Sequence, residues 1–136
     1  LTDKAKVRSQ EERAKLFREA GEKYKQSLRI KPKMLEALEN WTIALLDESD
    51  SLSGNERVKK LAEAEAKARD FKSISKKADY NLASVFVLQG EVEAALDELE
   101  ACHLDGELPG RSHIESDPDL DPLRDQPRFH ALLDKL

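Results

Sequence analysis

The chain has 136 residues, of which 38% are charged and only 5% aromatic, and its net charge is −5. No apolar run approaches the ~18 residues of a membrane span, and no basic segment followed by an apolar stretch opens the chain as a signal peptide would. One cysteine, Cys102, excludes an internal disulfide and fits a reducing, cytoplasmic setting.

The charge is unevenly spread. Residues 1–33 hold 11 basic against 5 acidic side chains, and residues 78–136 hold 4 against 14. Solvated helix faces account for most such runs. The overall acidity argues against a nucleic-acid partner.

Ser9 and Glu12 are spaced as a capping box. From there Leu16, Phe17, Ala20, Tyr24, Ser27 and Leu28 recur at helical spacing and predict a helix over 10–30. Pro32 disfavours helical backbone at Lys31 and suits the start of a new helix. That second helix, 33–48, carries Met34, Leu35, Ala37, Leu38, Trp41, Ala44, Leu45 and Leu46. "DESDSLSGN", Asp47 to Asn55, breaks the pattern. Ser53 and Glu56 then open a third helix, 55–71, rich in alanine, with "KSISKK" as a joint.

A fourth helix, 75–89, carries Ala78, Leu82, Ala83, Val85, Phe86 and Leu88. Gly90 ends it, and a fifth follows at 91–104 with Gly106 as C-terminal cap. The tail, "GELPGRSHIESDPDLDPLRDQPRF", is rich in proline and aspartate. It predicts a turn at 118–123 and a last helix at 126–135, burying Leu120, Leu123, Phe129, Leu132 and Leu133. No sustained period-two alternation marks a strand.

The chain also aligns with itself. Shifted by 41, Ala37, Asn40, Trp41 and Leu45 fall on Ala78, Asn81, Leu82 and Phe86. Shifted by 75, Ala20, Tyr24 and Ser27 fall on Ala95, Leu99 and Cys102. The shifts differ by 34, the period of tetratricopeptide repeats. On these residues the chain resembles a tetratricopeptide repeat (TPR) protein. It is similar to a bacterial variety with an extended loop inside each hairpin and a closing segment like "DPDLDPLRDQPRFHALL".

The resemblance implies an all-α fold: a TPR-like superhelix of about two and a half hairpins with a C-terminal capping helix. Residues 1–136 are then one repeat domain. Residues 1–9 are a frayed start, 10–32 a half unit, 33–72 a unit with its extended loop near 49–55, 75–106 a second unit and 107–136 a cap, with Phe129–Leu133 against the fifth helix. The first unit departs from the family: Asp3, Lys6 and Val7 stand where Ala37, Asn40 and Trp41 stand in the next. The opening Leu1 in place of methionine leads to the expectation of a fragment or a processed chain, the C-terminal part of a larger TPR array.

In this family the first helix of each hairpin lines a concave groove for a peptide or partner helix. Carried over, the groove positions are Glu36, Glu39, Asn40, Ile43 and Asp47, then Lys77, Tyr80, Asn81, Ser84 and Leu88. A side-chain amide offers both a donor and an acceptor, so Asn40 and Asn81 suit a peptide backbone. Glu36, Glu39 and Asp47 favour a basic partner segment. Each is also an ordinary exposed position on a helix. The clamp with which some family members hold a C-terminal carboxylate is incomplete: Asn40 and Lys77 match it, but Asn81 replaces the arginine, and Ala5 and Ser9 replace its first-unit residues. Trp41, the only tryptophan, aligns with Leu82 and reads as the hydrophobic centre of a hairpin ahead of the alternative, an aromatic anchor for a ligand.

No enzyme, cofactor or metal site is expected. His103, His113 and His130 lack zinc-like spacing. "DPDLD" imitates a calcium loop, but Pro122 and Arg128 occupy the places of its glycine and closing glutamate, leaving the aspartates as caps. Cys102 falls at a small-residue core position. The leading expectation is a non-catalytic protein–protein interaction module. Two alternatives are a regulatory or sensor end of a multidomain effector, and a scaffold stacking end to end as a homo-oligomer through a basic N-terminal and an acidic C-terminal end.

Overall fold

The computed structural model describes the backbone of residues 10–30 and 35–136, and side chains over 12–23 and 35–136. The capping box at Ser9, the joint at Pro32 and the first-unit counterparts Asp3, Lys6 and Val7 lie outside the described residues, as do the side chains of Tyr24 and Ser27. Every regular element among the described residues is helical. The chain is all-α, and none of the described helices is long and apolar enough to cross a membrane. It divides into two compact units, residues 1–75 and 76–136.

The first unit holds α1 (Gln10–Ile30), α2 (Leu35–Ser49) and α3 (Gly54–Ser75). Helix α2 packs against both of the others. Its inward face carries Ala37, Leu38, Thr42, Leu45 and Leu46, all buried. Opposite them on α3, Ala64 and Ala68 are fully buried, and their small side chains leave α2 room to pack closely. The Thr42 hydroxyl donates to the Leu38 carbonyl at 2.9 Å, so a polar group sits in this seam without an unmet hydrogen bond. The turn between α2 and α3 satisfies the carbonyls that end α2. Three successive amides, of Asp50, Ser51 and Leu52, donate to Asp47, Glu48 and Ser49. The Arg57 guanidinium donates to the Ser49 carbonyl at 3.0 Å.

Helix α3 outruns its expected end at 71. Nothing in "KSIS" stops a helix, and Ser73 and Ser75 donate back to the carbonyls of Asp70 and Lys72. The helix ends at Lys76, whose φ of 63° lies in the left-handed region.

The second unit holds α4 (Tyr80–Leu88), α5 (Val92–Asp105), α6 (Arg111–Ser116), a 3-10 segment (Pro118–Leu123) and α7 (Pro127–Asp134). Helix α4 begins five residues later than the periodicity predicts. Two carboxylates of α5 hold the preceding backbone extended: the Ala78 amide donates to Asp105 at 2.7 Å and the Asp79 amide to Glu98 at 2.8 Å. Asp79 then caps α4 by accepting from the Leu82 amide at 3.1 Å. Gly90, at φ 81°, closes α4 while the Glu91 amide donates to Phe86 at 2.8 Å. Helices α4 and α5 bury Leu82, Ala83, Val85 and Phe86 together with Ala95, Leu96, Leu99 and Cys102.

The tail folds as expected over 118–123 and 127–134, with α6 as an unforeseen addition whose Ile114 is fully buried. Leu120, Leu123, Phe129 and Leu132 are buried, whereas Leu133 is only half-buried. Helix α7 packs on α5, and the 3-10 segment packs on α4.

Candidate partner-binding surface

Helix α2 has two faces in use and one left to solvent. Glu36, Glu39, Asn40 and Ile43 follow one another at helical spacing and all are exposed, Ile43 by 40%. Asp47 continues the stripe and is half-buried. Neither Glu36 nor Glu39 has an ion-pair partner among the described residues, so the stripe presents an acidic surface beside one apolar side chain.

The positions carried over onto the second unit behave differently. Lys77 is exposed and pairs with Glu107 at 3.2 Å. Asn81 and Leu88 are half-buried. Ser84 is 3% exposed, and its hydroxyl donates to the Tyr80 carbonyl at 3.4 Å, so it offers nothing to a partner. The Tyr80 hydroxyl donates to Asp117 at 2.5 Å, and its ring meets His113 edge-on with centroids 5.8 Å apart. Burial first, then this hydrogen bond, push the phenol far above its ordinary range. Tyr80 thus anchors the tail to α4. Asp117 is also the cap of the 3-10 segment, accepting from the Asp119 amide at 3.0 Å. Of the "DPDLD" aspartates expected as caps, Asp117 serves as one.

The tail is fastened to α5 by Arg128. Its guanidinium donates to Glu93 at 2.7 Å, to Asp97 at 2.7 Å, and to both carboxylate oxygens of Glu100 at 2.7 and 3.1 Å. Three carboxylates hold the guanidinium in its charged form, Glu100 foremost, and the same contact lowers the Glu100 carboxyl. Arg124 donates to the carbonyls of Ile114 and Asp117, tying α6 to the 3-10 segment.

The first unit also contains a cleft of about 1000 Å³ between α1 and α3, floored by Trp41, Ala44, Leu45 and Glu48 of α2. Trp41 is half-buried here, where its alignment with Leu82 predicts full burial. The Lys67 ammonium of α3 lies 4.2 Å from the centre of its ring. On the α1 side the indole nitrogen faces Gly21, where a Cβ would approach it to 3.7 Å. No acceptor among the described residues pairs with this N–H.

At the end of the floor, Glu48 is buried with its side chain 7% exposed, 3.5 Å from the Lys60 ammonium. Desolvation raises its carboxyl, and Lys60 offsets only part of that effect. Sequence reading missed this cleft because Lys67 and Trp41 lie on different helices, and only their packing places one over the other.

No protein-family model, curated protein or solved structure matches this chain.

Proposed function

We propose that the chain is a non-catalytic protein–protein interaction module built of TPR-like helical hairpins, and that the exposed stripe of α2 is its contact surface for a partner segment carrying basic side chains. The observation that carries this reading is the stripe itself. Glu36, Glu39, Asn40 and Ile43 stand exposed on a helix that packs against both α1 and α3, so the helix is held in place while these side chains stay available. Two carboxylates supply charge for a lysine or arginine, the Asn40 amide supplies a donor and an acceptor, and Ile43 supplies an apolar contact.

The hairpin reading has its own support. Under the 41-residue shift, Ala37, Thr42 and Leu45 of α2 correspond to Ala78, Ala83 and Phe86, and all six are buried. On this reading Asn81 and Leu88 are further contact positions in the second unit. Tyr80 and Ser84 are withdrawn from the set, because their hydroxyls are engaged within the fold.

The test is a peptide-array screen of basic, neutral and acidic segments against the full chain. Basic segments should be retained, and Glu36→Lys/Glu39→Lys should abolish their retention. An Asn40→Ala/Asn81→Ala double variant should weaken it. If basic segments bind the charge-reversed chain unchanged, the stripe is not the contact surface.

A further inference from the structure

The cleft on the Trp41 side of α2 has a chemistry opposite to that of the exposed stripe. We infer that it is a second docking site, for a partner segment that sets an apolar side chain beside aspartate or glutamate.

The argument starts from Trp41. A half-buried indole exposes part of its apolar surface to the cleft, and Ala44 and Leu45 continue that floor. An apolar side chain laid against them would leave water and be held by dispersion with the ring. The indole N–H, unmatched by an acceptor among the described residues, adds a hydrogen-bond donor. A carboxylate is the complement to such a donor.

The charges around the floor favour the same ligand. Two acids of the lining, Glu48 and Glu63, are engaged by Lys60 at 3.5 and 4.0 Å. Over the whole lining the five cations Lys15, Arg18, Lys23, Lys60 and Lys67 face the four acids Glu19, Glu22, Glu48 and Glu63, a surplus of one positive charge. Lys67 matters most, because it already lies over the ring and needs no rearrangement to meet a carboxylate beside it. The cleft lies between two helices over the floor of a third, and a site between helices is one in which an amphipathic helix is received. A basic segment would meet the surplus as a like charge, so the two surfaces of α2 sort partners by sign.

The test uses three fluorescein-labelled peptides of equal length, pairing leucine with glutamate, glutamine or lysine, and a labelled single-stranded oligonucleotide. Fluorescence anisotropy is read with the full chain. The glutamate peptide should bind tightest, and added salt should weaken it. Lys67→Glu and Arg18→Glu should each weaken it by roughly tenfold or more, with circular dichroism unchanged. Glu36→Lys/Glu39→Lys should leave it intact, which separates this site from the proposed stripe. Tighter binding of the lysine peptide or of the oligonucleotide overturns the inference. So does a glutamate peptide indifferent to Lys67→Glu, or the failure of all four probes to bind.

Discussion

The hydroxyl of Tyr80, the first residue of α4, donates to the carboxylate of Asp117, thirty-seven positions along the chain, at 2.5 Å. One contact closes the second unit, because Asp117 is at once the acceptor for Tyr80 and the cap of the segment that covers α4. Tyr80→Phe should cost about 1.5–3 kcal/mol, the range for a hydrogen bond to a charged group. Burial and Asp117 raise the phenol above its unfolded value. The contact therefore stabilises the fold below the ordinary tyrosine range and is lost as pH rises through the elevated one. Alkaline unfolding followed by circular dichroism should show a steeper loss of stability in the wild type than in Tyr80→Phe.

Arg128 should resist conservative replacement. Its fork reaches Glu93, Asp97 and Glu100 together, and an ammonium cannot span that set. Both Arg128→Lys and Arg128→Ala should lower the melting midpoint. Added salt should narrow the gap to wild type, since the cluster is solvent-accessible. Equal midpoints for wild type and Arg128→Lys would show that the point charge alone suffices.

Glu48 gives a pH prediction of the opposite sense to an ordinary salt bridge. Its carboxyl is raised in the folded state, so the folded chain binds that proton more tightly than the unfolded chain does. The penalty is absent below the unfolded carboxylate value, grows as pH rises and is fully present above the raised value. Glu48→Gln should therefore gain stability relative to wild type at pH 7, and the gain should shrink as the medium is acidified through the carboxylate range. Paired thermal melts at neutral and acidic pH measure this. A wild type that outlasts Glu48→Gln at pH 7 would mean that Lys60 outweighs desolvation.

Cys102 is fully buried on α5 beside the packed face of α4. A thiol reagent should leave it unmodified in the native chain and react at the rate of opening of the second unit. Rapid labelling at neutral pH without denaturant would contradict that placement.

The helices were legible wherever period and punctuation agreed. Gly90 and Gly106 take the left-handed backbone their positions imply, and the tail's leucines and Phe129 reach the core. Misreadings fell where distant partners decide local structure. Ala78 looks helical by its neighbours, but Asp105 takes its amide and Glu98 takes that of Asp79, so α4 starts later. Ser84 lies on a helix face predicted to be exposed but is buried, because helical spacing gives direction and not cover. Trp41 aligns with the buried Leu82, yet it is half-buried at the floor of a cleft between the two flanking helices. On α2, Glu36, Glu39, Asn40 and Ile43 are exposed at the helical spacing the sequence shows, while Asp47 at the end of the same stripe is half-buried.

The single tryptophan has a consequence for any study of how this chain melts. Trp41 belongs to the first unit, and the second unit contains none. Its emission therefore follows the opening of α1, α2 and α3 and is blind to the rest, whereas far-ultraviolet dichroism sums every helix. Superimposable transitions by the two signals would mean that the units share one cooperative event, and a displaced pair would assign each step to its own half of the chain without any added label.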